Sequence, residues 1–108
     1  MRTNIIVNIQ YAGTHFWKDC RIKEVEYLKN IHRHNFYITC KKEVKHDDRD
    51  IEIIMFKNEI TEYLDCRYDK EFGGLSCESI AKDLLLTFEL NYCKVLEDNE
   101  NGAEIWQK

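Results

Sequence analysis

An antiparallel sheet carrying helices on one face, an α+β domain, follows from three features of the 108-residue chain. Segments rich in β-branched and aromatic residues, with period-two alternation, sit towards both ends. Segments with apolar residues at helical spacing occupy the middle. Asn, Asp and Gly clusters supply the punctuation, because the chain has no proline and only four glycines. Length argues that residues 1–108 form one domain around one core. A hydrophobic fraction of 44% and an aromatic fraction of 12% are those of a folded protein.

The elements follow in order. "TNIIVNIQYAGTHFW" reads as a long strand, with Gly13 marking a bulge or a close approach. "CRIKEVEYLKN" is polar and charged and reads as a loop, with room for a helical turn. "HNFYITCKKEV" is a second strand, placing Phe36, Ile38 and Cys40 on one face and Tyr37 and Thr39 on the other. After the turn "KHDDRD", the apolar run "IEIIMF" predicts a short third strand. "KNEITEYLDCRY" spaces Ile60, Tyr63 and Leu64 as a helix does, and "KEFGG" breaks it. Ser76 is the expected N-cap of a second helix, "CESIAKDLLLTFEL", whose stripe is Ile80, Leu84 and Phe88 with Ala81 and Leu85 beside it. "YCKVLED", the turn "NENG" and "AEIWQK" predict a closing hairpin. The expected order is therefore β-β-β-α-α-β-β.

Composition narrows the function. A net charge of −4 with both signs interspersed argues against nucleic acid as the main partner. Lys41, Lys42 and Lys45 sit among acids and read as a solvated strand end. No apolar run approaches a bilayer span. Five cysteines, an odd number without a CxxC pair or a signal-peptide pattern, predict free thiols in a reducing compartment and a cytoplasmic protein.

The stretch "NIHRHNFYI" places His32 and His34 on the same face of a strand. If the first two strands pair across residues 17–31, His15 at the end of "AGTH" comes within reach of both. Three neutral imidazoles with an open fourth position describe a catalytic zinc site. An H-x-H alone is equally the mark of scattered surface histidines, and His46 in the following turn reads as exposed.

In chain order, "AGTHFW", "HRHNFYI", "LDCRYDKEF", "LSCESIA" and "VLED" resemble the landmarks of the 6-pyruvoyl-tetrahydropterin synthase and 6-carboxytetrahydropterin synthase family. The resemblance runs from the first strand to the last. It implies a tunnelling fold: a four-stranded antiparallel sheet with two helices on one face, assembling into an oligomeric β-barrel. Such homo-oligomers are usually trimers stacked as hexamers, with pterin sites at subunit interfaces. By match of motif, His15, His32 and His34 correspond to the ligands of Zn2+, and Glu97 to the acid that anchors the pterin. Ser76 and Glu78, at the start of the second helix, fall where the family touches the substrate ring; Glu78 reads equally as a first-turn acid favoured by the helix dipole.

The resemblance also has gaps. The family places a catalytic cysteine shortly before its H-G-H motif, where this chain has "EVEYLKN"; Cys20 is twelve residues upstream of His32. Asp65 of the family's Asp-His pair is kept, but Cys66 stands at the histidine position, and Arg33 replaces the glycine of H-G-H. Glu26, six residues before His32, falls where some members of the wider family use glutamate and leave a hydroxymethyl pterin. Its competing reading is one more charge on a polar loop; that of Cys66 is a buried helix cysteine. The expectation is a zinc-dependent lyase resembling 6-carboxytetrahydropterin synthase, acting on dihydroneopterin triphosphate or a related reduced pterin, with Asp65 and either Glu26 or Cys66 moving protons. The alternative is a degenerate module that binds a pterin- or purine-like ligand without turnover.

Overall fold

The computed structural model describes residues 1–107. Its elements are β1 (Thr3–His15), a 3₁₀ segment (Lys23–Lys29), β2 (His32–Val44), α1 (Ile53–Arg67), α2 (Cys77–Thr87), β3 (Tyr92–Glu97) and β4 (Asn101–Trp106). The strands form one antiparallel sheet in the order β1-β2-β3-β4. Lys108, the last residue of the expected closing strand, lies outside the described residues.

Alternation decides what each face does. Val7, Ile9 and Tyr11 of β1 lie opposite Cys40, Ile38 and Phe36 of β2, and all six are buried. Cys93 and Val95 of β3 extend the same rows. Both α-helices cover this face: α1 buries Phe56, Ile60 and Leu64, spaced four apart, and α2 buries Cys77, Ile80, Ala81, Leu84 and Leu85. Asp83 joins the helices by accepting hydrogen bonds from the hydroxyls of Tyr63 (2.9 Å) and Tyr68.

One predicted element is corrected. "IEIIMF" does not form a strand; α1 begins within it at Ile53. The Glu52 side chain accepts the Met55 N–H at 2.7 Å and caps the helix. Ile53, Ile54 and Met55 are exposed, so the run presents no buried strand face, and Phe56 is the first residue of a helical stripe. A short apolar run carries no period that separates strand from helix. The observed order is thus β-β-α-α-β-β, with the 3₁₀ segment in the first connection.

Other expectations hold. Ser76 Oγ accepts the Ser79 N–H at 3.1 Å as the cap of α2. Gly13 marks a close approach within an unbroken register, since a Cβ there would come within 2.9 Å of the Phe72 ring. All five cysteines are free. Cys66, however, is exposed on α1, against its reading as a buried helix cysteine. No helix among the described residues is long and apolar enough to cross a membrane.

The closing hairpin turns through Asp98 and Asn99, both with positive φ (54° and 59°), and the Glu100 N–H donates to the Glu97 carbonyl at 3.0 Å. Beyond it, a Cβ on Gly102 would stand 1.8 Å from the Val95 carbonyl oxygen. Gly102→Ala is therefore expected to destabilise the protein by about 2–3 kcal/mol, as overpacking against backbone does. Thermal unfolding followed by circular dichroism should show a melting temperature roughly 10–20 °C lower. A melting point matching wild type would contradict the β3–β4 register.

A candidate metal centre of three histidines

The buried rows of β1 and β2 continue past the hydrophobic core into histidine. Beyond Tyr11↔Phe36 the next inward pairs are Gly13↔His34 and His15↔His32. The three imidazoles therefore share the core face, as a strand pairing across residues 17–31 requires. Their ring centroids lie 4.5–5.3 Å apart. The Phe36 ring packs edge-on beneath His15 and His34, with Phe72 behind it. The cluster thus rests on a buried aromatic floor.

Hydrogen bonding fixes each ring's tautomer. His15 Nδ1 lies 3.0 Å from the Leu75 carbonyl oxygen, His32 Nδ1 2.8 Å from that of Asn30, and His34 Nδ1 2.7 Å from Asp98 Oδ2. Carbonyls and carboxylates only accept, so each Nδ1 carries the proton it donates. Each neutral ring then presents a lone pair on Nε2. All three Nε2 atoms are buried and without a hydrogen-bond partner.

Those lone pairs converge. One ligand atom from each histidine lies within 4.8 Å of the other two, an arrangement that could hold a metal ion. Glu97 sharpens the point. It ends β3 opposite Phe36, with Oε2 3.0 Å from His15 Nε2 and Oε1 3.5 Å from His34 Nε2, but neither contact is aligned as a hydrogen bond. A carboxylate oxygen facing an imidazole lone pair is repulsive unless a cation lies between them. A proton on His15 is one such cation, but burial, the largest influence on this ring, lowers its pKa; a divalent cation satisfies the imidazoles and the carboxylate together. Asp98 behind His34 is held below the usual carboxylate range, chiefly by the Asn35 backbone N–H at 3.0 Å and then by His34.

The cluster opens onto a cavity of about 380 Å³. His15, His32 and Glu97 form its polar end, Phe16, Trp17 and Leu28 an apolar wall, and Ser76, Cys77 and Glu78 its edge at the start of α2. The Cys77 thiol lies 3.8 Å from Glu97 Oε2, and burial, then the neighbouring Glu97 charge, pushes its pKa up to about 12.

Of the residues singled out in the sequence, His15, His32, His34, Glu97, Ser76 and Glu78 come together at this centre and its cavity. Glu26, Asp65 and Cys66 do not line the cavity within one chain. Glu26 is exposed on the 3₁₀ segment, 4.0 Å from Lys29. Asp65 accepts a 2.8 Å hydrogen bond from the Tyr11 hydroxyl, whose pKa is raised to about 12 by burial and then by this bond. Sequence reasoning missed Asp98 and Cys77. Both had a weak signal in hindsight, as immediate neighbours of Glu97 and Ser76.

No protein-family model matches the chain, and no curated protein matches it. Among solved structures it is similar to that of an uncharacterized protein from Wolinella succinogenes, with a TM-score of 0.73 at 11% identity, covering 100% of this chain and 99% of that one. The likeness is one of fold.

The lowered pKa of His15 has a consequence for the metal-free protein. An unfolded chain takes up a proton at this residue below about pH 6.5, whereas the folded one takes it up only at lower pH. The His15 contribution is thus intact above that pH and lost as pH falls towards the lowered folded value. Urea midpoints of metal-free protein should decline as pH falls below about 6.5, and His15→Phe should remove that component. An identical pH dependence in the variant would contradict a buried neutral His15.

Proposed function

We propose that this chain is a zinc-binding tunnelling-fold protein whose cavity takes a pterin, and that it acts as a lyase resembling 6-carboxytetrahydropterin synthase on dihydroneopterin triphosphate or a related reduced pterin. The observation that carries this reading is the convergence of three unpartnered Nε2 atoms beside a carboxylate at the end of a cavity. It supports the histidine and Glu97 correspondences that the family resemblance implies.

His15, His32 and His34 would hold the zinc, since imidazole nitrogen suits a borderline-soft ion. Bound there, zinc supplies Lewis acidity that polarises a side-chain oxygen of the ligand. Glu97 spans the histidine cluster and the cavity, and its carboxylate can accept paired hydrogen bonds from the N–H/NH₂ edge of a pterin ring. The Cys77 S–H donates to Glu97 and helps orient it. Phe16 and Trp17 offer aromatic surface to a planar ring.

Proton transfer requires a further group. Asp65, Glu26 and Cys66 are exposed, and a ring of subunits forming an oligomeric barrel would let one chain complete its neighbour's site with them. The free cysteines suit a reducing, cytoplasmic setting. One observation favours the second reading, a module that binds a pterin- or purine-like ligand without turnover: those three residues lie outside the cavity of their own chain.

Incubating the zinc-loaded protein with dihydroneopterin triphosphate separates these readings. Turnover is expected, abolished by His34→Ala. Glu97→Gln should weaken ligand binding by about 1.5–3 kcal/mol, roughly 10- to 150-fold, because it removes the charge from those hydrogen bonds. Stoichiometric binding without product would select the second reading. Neither binding nor product would overturn both.

A further inference from the structure

The three imidazoles are not held alike, and the difference falls on His34. The Nδ1–H groups of His15 and His32 donate hydrogen bonds to backbone carbonyls, whereas that of His34 donates to the Asp98 carboxylate. Asp98 is half-exposed but held by three hydrogen bonds. Its Oδ2 accepts from His34 at 2.7 Å and its Oδ1 from the Asn35 N–H at 3.0 Å. Its own N–H donates to the Asn35 carbonyl at 2.8 Å, and its φ of 54° sets it in the first left-handed position of the hairpin turn. Each carboxylate oxygen accepts a hydrogen bond, Oδ2 from the His34 ring and Oδ1 from the Asn35 backbone, so the ring is tied to the β2–β3 register.

We propose that Asp98 is the positioning residue of the metal centre, making His34 the strongest donor of the three ligands. This inference rests on the reading of the histidine cluster as a metal site. A charge-assisted hydrogen bond draws the Nδ1 proton towards the carboxylate and moves electron density to Nε2, which binds a divalent cation more tightly than a ring bonded to a neutral carbonyl. The carboxylate also sets one negative charge behind the ligand, partly offsetting the cation. Glu97 faces the same ring from its other side, 3.5 Å from Nε2. His34 therefore lies between two carboxylates, one satisfied by its proton and the other facing its lone pair.

The turn conformation makes a clean test possible. Asn and Gly both adopt positive φ readily, so Asp98→Asn and Asp98→Gly keep the turn while removing the charge or the whole side chain. A single amide oxygen cannot replace two committed carboxylate oxygens. Zinc affinity of the full chain is to be measured by competition with a chromophoric chelator, with Glu100→Gln as the control from the same turn. Wild type and control should bind one equivalent with equal affinity, Asp98→Asn should bind 10- to 100-fold more weakly, and Asp98→Gly at least as weakly. Nitrogen NMR of metal-free protein gives a readout that a purely structural role would not move: His34 should be the Nδ1–H tautomer in wild type and a mixture in Asp98→Gly. Unchanged affinity in both variants would overturn the role of Asp98 while leaving the metal site standing. A wild type that takes up no zinc would overturn both.

Discussion

The pairing of β1 with β2 is the constraint on which the rest depends. Its register runs unbroken from Thr3↔Val44 to His15↔His32, so one alternation governs both strands. At one end that alternation buries Val7, Ile9, Phe36 and Ile38; at the other it turns His15, His32 and His34 to the same side. A one-residue slip of β2 against β1 would turn Phe36, Ile38, His32 and His34 away from Val7, Ile9 and His15. Core and site are therefore specified together, and the hydrophobic rows act as the ruler that places the imidazoles.

The site also draws the remaining fold together. The three Nδ1 acceptors come from separate parts of the chain: Asn30 before β2, Leu75 before α2, and Asp98 after β3. The aromatic floor adds Phe72 from the connection between the helices. Each ring is thus oriented by a different segment, and the Nε2 atoms converge only when all are docked. An arrangement that leaves three buried lone pairs without a partner beside a facing carboxylate is costly for a core and well suited to a cation. Orientation of the three nitrogen donors by the fold alone is what preorganisation means here.

Much of this was legible in the sequence, and the physical reasons for the rest are specific. Strands β1 and β2 announce themselves through period-two patterning, and the H-x-H spacing fixes the relative facing of His32 and His34. Ser76 declares the start of α2. "IEIIMF" misleads because a short β-branched run fits either period, and the deciding interaction, Glu52 capping Met55, is a single hydrogen bond. The carbonyls of Leu75 and Asn30 are backbone groups, so no residue type could reveal them. Asp98 hides because the sequence places it at the end of the strand "YCKVLED", whereas the hairpin already turns there. Cys77 carries no sequence signal of its own, since neither thiol position that the family resemblance implies, shortly before His32 or beside Asp65, falls on it. Glu26, Asp65 and Cys66 came from that resemblance, and the fold of one chain leaves them outside the cavity.

The most direct test is the metal content of untagged protein purified without added metal, compared with His32→Ala and with His46→Ala, which alters an exposed histidine outside the cluster. About one divalent ion per chain, kept in His46→Ala and lost in His32→Ala, is the predicted result. Wild-type protein that carries no metal and takes up none on titration with zinc would contradict the metal centre.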